Sequence, residues 1–168
     1  MINLNIIIEK LQEAEVEKAL EIKDICKYIS YLNFSVEKAQ ENINIDPNEV
    51  ESLKKKVQQG NLLYFSAKLN NNIVGYLGMD IIESILMIRS LFIHPDYQGK
   101  GVGSKLLLKA DKIANSNNCS KISLNVVEDN SLAIKFYKKN GFIDSDSSTS
   151  PLNFNGQELK RINLVKVI

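Results

Sequence analysis

The stretch Asp96-Tyr97-Gln98-Gly99-Lys100-Gly101-Val102-Gly103 sets three glycines at alternate positions just before a segment of helical periodicity. Glycine lets a backbone approach a ligand closely. The first turn of a helix offers unpaired N–H groups with partial positive charge, so this junction has the parts of a phosphate cradle. Lys100 adds a full charge. Glycine spacing alone is equally served by a bare tight turn. A dinucleotide fingerprint wants a third glycine where this chain has Ser104, and a Walker A loop wants Ser or Thr after Gly99-Lys100, where it has Gly101.

A second run, Asn130-x-x-Ala133-x-x-Phe136-Tyr137-x-x-x-Gly141-Phe142, lies downstream. With one histidine, His94, and two cysteines, Cys26 and Cys119, in no C-x-x-C spacing, zinc sites and a Ser-His arrangement lose their usual parts. Both cysteines read as buried thiols. Proton chemistry falls to carboxylates, tyrosines or water. A phenol with a pKa of about 10 is protonated at neutral pH and can donate.

The elements that must position these groups follow from periodicity and breakers. Leu4-Asn5-Ile6-Ile7-Ile8 reads as a strand, and a helix from about Glu13 to Leu32 places Val16, Leu20, Ile25, Ile29 and Leu32 near one face. Asp46-Pro47-Asn48-Glu49 starts a helix that should stop at Gly60. Leu62 to Leu69, the Asn70-Asn71-Asn72 turn and Ile73 to Ile82 read as a hairpin, and a third strand from about Ile85 to His94 ends at Pro95. The helix after the glycines carries Val102, Leu106, Ala110 and Ile113. A strand at Lys121 to Val127 and a helix from Ser131 to Lys139, capped by Asn130 and stopped at Asn140-Gly141, come next. Strands at Gly141 to Ser145 and Leu159 to Val167 flank a turn-rich stretch holding Pro151 and Asn155-Gly156. Antiparallel strands, then strand, helix, strand, helix, then strands make an α+β protein.

The chain has 168 residues, 44% of them apolar, and 21 basic against 20 acidic side chains. That argues for one domain over residues 1–168, and against disorder or a supercharged nucleic-acid binder. Only Arg89 and Arg161 among the basic residues are arginine, which disfavours bidentate reading of bases. The longest apolar runs, such as Ile85 to Ile88, fall far short of the roughly 18 to 20 residues of a membrane span. Glu9 and Glu13 stand where a leader's cleavage region is expected, so a cytoplasmic protein with no membrane partner is the expectation.

Leu91-Phe92-Ile93-His94-Pro95-Asp96-Tyr97-Gln98-Gly99-Lys100-Gly101-Val102-Gly103 resembles the acyl-CoA pyrophosphate motif, Gln/Arg-x-x-Gly-x-Gly/Ala, of the GNAT acyltransferases. The run from Asn130 to Phe142 is similar to that family's second motif, at the usual distance, so the two motifs span about residues 88 to 142. The resemblance implies the GNAT fold: a mixed, mostly antiparallel sheet of about six or seven strands flanked by about four helices. It further implies acetyl-CoA as acyl donor, no metal, and direct transfer of an acetyl group to a primary amine in a ternary complex. The acceptor could be a small amine, a polyamine or a protein or peptide amine, and the protein a monomer or homodimer.

In that reading the backbone N–H groups of Gln98, Gly99, Lys100, Gly101, Val102, Gly103 and Ser104 hold the pyrophosphate. The pantetheine arm pairs with Leu91, Phe92 and Ile93, and the Ile93 N–H meets the thioester carbonyl. Asn130 meets the pantetheine or simply caps its helix; Ala133 and Phe136 line the path or simply pack. Tyr137 protonates the departing sulfur. Many family members carry an acidic residue two before the leucine of this strand, where the chain has Arg89. The base is therefore left among Asp80, Glu83, Glu128, Asp129 and a water chain, and a non-catalytic acyl-CoA sensor on the same fold is the alternative. His94 reads as structural. Glu37, Glu41, Asp46, Glu49 and Glu51 form an acidic set that a polyamine or lysine acceptor could meet.

Overall fold

The computed structural model describes residues 5–60 and 63–168. Its strands are β1 (Ile6–Lys10), β2 (Leu63–Leu69), β3 (Asn72–Ile82), β4 (Ile85–Ile93), β5 (Lys121–Val127), β6 (Ile143–Ser145), β7 (Leu152–Phe154), β8 (Gln157–Leu159) and β9 (Arg161–Val167). The helices are α1 (Val16–Leu32), α2 (Val36–Glu41), α3 (Pro47–Gln59), α4 (Val102–Ser116) and α5 (Ser131–Lys139). Seven strands form one sheet in the order β1-β2-β3-β4-β5-β9-β6; β4 and β5 run parallel, and the other pairs are antiparallel. This is the mixed, mostly antiparallel α+β sheet expected, with five α-helices among the described residues rather than about four.

Local chemistry explains most boundaries. The Asp46 side chain accepts the Asn48 N–H at 2.9 Å, Pro47 opens α3, and Gly60 closes it at φ 67°. Asn70 and Asn71, at φ 50° and 63°, turn β2 into β3. Gly141, at φ 90°, ends α5 and lets the Phe142 N–H return to the Tyr137 carbonyl at 3.1 Å.

Three expectations shift. The first strand lies at Ile6–Lys10, with Leu4 and Leu62 outside the described residues. Glu13–Glu15 forms a 3-10 turn before α1. The turn-rich stretch holds the separate β7–β8 hairpin, and α2, capped by Ser35 on the Lys38 N–H, has Ala39 as its single buried residue. A six-residue helix with one buried position leaves no periodicity to read.

One core layer lies between the sheet and α4, built on Phe65, Leu77, Leu86, Leu106 and Leu164. The other lies between the sheet and the pair α1 and α3, where Val16, Leu20 and Leu53 meet Tyr76. No helix among the described residues is long and apolar enough to cross a membrane.

Candidate active site

The sheet opens in its middle. β4 pairs with β5 only from Ile85↔Lys121 to Ile88↔Leu124, and beyond that the two strands make no ladder. The cause sits on the other edge of β4, where Gly78 pairs with Ser90 and Met79 with Ile88, so that Arg89 is a bulge. A bulge adds bend and twist, turning the second half of β4 away from β5. Each strand keeps its outer partner: β4 stays on β3 to Ile93, and β5 stays on β9 to Val127.

The free edge of β4 has a definite polarity. The His94 N–H donates to the Val74 carbonyl at 2.9 Å, and Gly75 opposes Ile93 in the next pair. Antiparallel pairs alternate, so Ile93 and Leu91 turn their N–H and C=O groups away from β3 into the cleft, while Phe92 spends its own on Tyr76. The Ile93 carbonyl is already taken by the Cys26 thiol at 3.1 Å and the Gln98 side-chain amide at 3.0 Å. The Phe92 ring packs on Tyr76, centroids 5.8 Å apart. Of the three expected positions, Leu91 and Ile93 present backbone donors to the cleft.

The glycine turn follows directly. The Gln98 N–H donates to the Pro95 carbonyl at 3.1 Å, so the open run starts one residue later than expected. From there the first backbone bond of α4 is Lys105 N–H to Gly101 C=O, which leaves the N–H groups of Gly99 to Ser104 without backbone acceptors among the described residues. Gly99 and Gly101 hold φ 71° and 83° with nothing within 4 Å of an added Cβ, so conformation demands glycine there. Gly103 is helical, and a Cβ on it would lie 2.9 Å from the Phe136 ring. Val102 turns into the core at 1% exposure, and the Lys100 ammonium lies over the Tyr97 ring at 5.4 Å. The His94 Nδ1 accepts the Asp96 N–H at 3.3 Å, bracing the turn.

The cleft is a groove of about 1490 Å³ that brings together Leu91 to Ile93, Gln98, Gly99, Gly101, Gly103, Ser104, Asn130, Ala133, Phe136 and Tyr137. Asn130 accepts the Ala133 N–H at 3.2 Å, so its carbonyl caps α5 while its amide N–H groups stay available. Tyr137 is buried between the Phe136 and Phe142 rings, with centroids at 5.3 and 5.6 Å. Burial pushes its phenol well above the ordinary tyrosine range, and the nearby Tyr31 adds to this. Burial also pushes the Cys26 thiol up to about 12.

The groove also takes in residues the motifs did not point to, above all Tyr31, Lys27, Leu152 and Arg161. Phe154 of the hairpin packs edge-on against Tyr28 and Tyr31, which brings β7 over the C-terminal half of α1. No local pattern could have found these, because α1, the hairpin and β9 meet only in the folded chain. Of the candidate bases, Asp80 and Asp129 line the groove. Glu83 sits in the β3–β4 turn at φ 55°, and Asp80 is held by Arg89 in a two-pronged ion pair at 2.8 and 3.1 Å.

A mixed sheet split between two parallel strands, with a donor-lined loop at one end of the split, defines an acyl-CoA-binding transferase fold. The family model for the Acetyltransferase (GNAT) family matches residues 29–142, and the chain belongs to that family of acyltransferases. It is 28% identical over 151 residues to a spermidine N(1)-acetyltransferase of Thermoplasma acidophilum, covering 88% of this chain and 94% of the relative. The PaiA N-acetyltransferase of the same organism, solved in complex with coenzyme A, superposes with a TM-score of 0.79 at 24% identity, covering 98% of this chain and all of that one. A ribosomal-protein-alanine N-acetyltransferase from Brucella melitensis superposes at 0.76 with 15% identity, over 96% and 99% of the two chains.

Proposed function

We propose that the chain, as one domain, transfers an acetyl group from acetyl-CoA directly to a primary amine bound in the same groove. The observation that carries this is the continuity of one open edge: cleft-facing N–H groups of Leu91 and Ile93 run into the unbonded N–H groups of Gly99 to Ser104. Such an edge fits a ligand with amides along its length and an anionic pyrophosphate at its end.

Acetyl-CoA supplies the thioester: the amine nitrogen bonds to the acetyl carbon, the carbon–sulfur bond breaks, and the amine's proton leaves to solvent. The chain's residues arrange and assist. The Ile93 N–H donates toward the carbonyl oxygen, where negative charge grows during transfer. Tyr137 gives its phenolic proton to the departing sulfur and regains one from solvent. Its raised pKa keeps that proton in place across the neutral range. Asn130, Ala133 and Phe136 steer the pantetheine, and the Gly103 gap seats the Phe136 ring beside the pyrophosphate turn.

A thermal melt with acetyl-CoA, CoA, ATP and NAD tests the binding half. A ligand at a hundredfold over its dissociation constant stabilises by about 2.7 kcal/mol, so selective rises with acetyl-CoA and CoA are expected. No rise with either at millimolar concentration overturns the reading.

A further inference from the structure

We infer that the acceptor is an amine carrying its own carboxylate, of the amino-acid type, and that Lys27 and Arg161 receive that carboxylate on either side of Tyr31. The inference rests on the acetyltransferase reading and names the acceptor class for the same groove. Besides its donor-lined edge, the groove is walled by α1, α3, β3, β4 and β9, which bring Lys23, Lys27, Lys56, Arg89 and Arg161 against the carboxylates Glu49 and Asp80. β9 sets Arg161 opposite Val127, three residues beyond the Leu124 that pairs with Ile88, and α1 sets Lys27 next to Cys26, whose thiol reaches the Ile93 carbonyl, so both cations lie toward the C-terminal half of β4.

Both carboxylates are already committed. Glu49 grips the buried Lys23 ammonium through both oxygens, and Asp80 grips Arg89. Lys27, Lys56 and Arg161 belong to none of the ion pairs formed by the described residues. Arg161 is steadied by the Ser150 carbonyl at 2.8 Å and hydroxyl at 3.2 Å, which fixes its plane without neutralising it. Lys27 lies one helical turn before Tyr31 on the same face of α1, and its ammonium sits 5.7 Å from the Phe154 ring that also packs on Tyr31. Burial and the Lys23 charge push against the Lys27 ammonium more than Glu49 and Asp24 support it, so a bound anion would relieve it. Tyr31, Tyr137, Lys27 and Arg161 line the same groove, and the Arg161 charge works against the burial that raises the Tyr31 phenol.

Among the described residues that line the groove, Lys27, Lys56, Lys135, Lys139 and Arg161 are in no ion pair, against Asp129 alone among the carboxylates, so a polyamine with its two or three positive charges would meet mostly like charge. The acidic set expected to meet one is scattered: Glu37, Glu41 and Glu51 do not line the groove, and Asp46 caps α3. An amino acid brings the missing negative charge. The same cations disfavour the ammonium form of its amine, which must lose a proton before it attacks. That help matters in a groove where Arg89 stands at the family's common acidic position.

The test is a kcat/KM panel with acetyl-CoA as donor. The acceptors are the free amino acids, their primary amides, and spermidine and putrescine. We expect at least one free amino acid to exceed its amide by about tenfold or more, the scale of a charge-assisted hydrogen bond. In Lys27→Gln and Arg161→Gln that acid-to-amide ratio should collapse toward one through KM for the acid, with the KM for acetyl-CoA unmoved. Arg161→Lys, which keeps the charge, should retain part of the preference even if Arg161→Gln folds poorly. Amino acids left unacetylated, spermidine preferred over every amino acid, or a KM for acetyl-CoA rising in step with that for the acid would each overturn the inference. These outcomes leave the acetyltransferase reading in place, which fails if acetyl-CoA and CoA leave the melt unchanged or if no amine of the panel, spermidine and putrescine included, is acetylated.

Discussion

The edge of the Phe136 ring occupies the space where a side chain on Gly103 would begin, its Cζ 2.9 Å from the position of an added Cβ. The first turn of α4 and the middle of α5 therefore lock together through an absence of atoms, across the mouth of the cleft. Gly103→Ala forces either the ring or the helix to move. Overpacking of this kind costs about 1–3 kcal/mol, and at roughly 2–4 °C per kcal/mol a calorimetric melt should show it. The KM for acetyl-CoA should rise as well, since Phe136 lines the groove. Gly103→Ala with wild-type melting would mean that the ring yields freely.

Tyr137→Phe should lower kcat by about 10²- to 10⁴-fold while the dissociation constant of acetyl-CoA stays nearly constant. An unchanged kcat would remove the phenol from the protonation step. Burial raises the phenol pKa, so the protonated donor persists as pH climbs. The pH–rate profile should therefore show no fall below pH 10 that disappears in Tyr137→Phe.

Both cysteines are free and buried, and burial raises the Cys26 thiol to about 12. Reactivity requires the thiolate, so Ellman's reagent at pH 8 should label the native protein slowly and both thiols at once after denaturation. The sign for stability follows from the raised value. In the unfolded chain Cys26 ionises near pH 8.5, so its contribution is fully present below that and is lost as pH rises toward 12. Tyr76 and Tyr137, raised by burial in the same way, extend the loss above about pH 10.

Lys23 is 6% exposed and held by Glu49, with Asp24 at 3.5 Å on its other side. Glu49→Gln strands that ammonium against α3 and should cost about 1–3 kcal/mol by urea denaturation. The pair Lys23→Met with Glu49→Leu should recover much of the loss, because removing both charges also removes the cost of burying them. If the single variant is neutral, water already reaches the ammonium.

The sequence by itself determined the local half of this protein. Glycines at 99 and 101 are needed by backbone conformation, Asn130 by a helix cap and Asn70-Asn71 by a tight turn, so α4, α5 and the β2–β3 hairpin fall where chain-local rules put them. The two motifs that carry the family resemblance are equally local. The tertiary structure alone decided what those motifs work on. The cleft exists because Arg89 bulges out of the β3–β4 ladder while β5 holds to β9, whose paired residues lie 34 or more positions away in sequence. The free direction of the Leu91 and Ile93 N–H groups depends on register against β3. Tyr31, Lys27 and Arg161 reach the groove from the two ends of the chain, and their charge balance there depends on which carboxylates Lys23 and Arg89 have already taken. Periodicity and caps act over a few residues, whereas register, splay and ion pairing are settled by packing between elements that the sequence order does not place side by side.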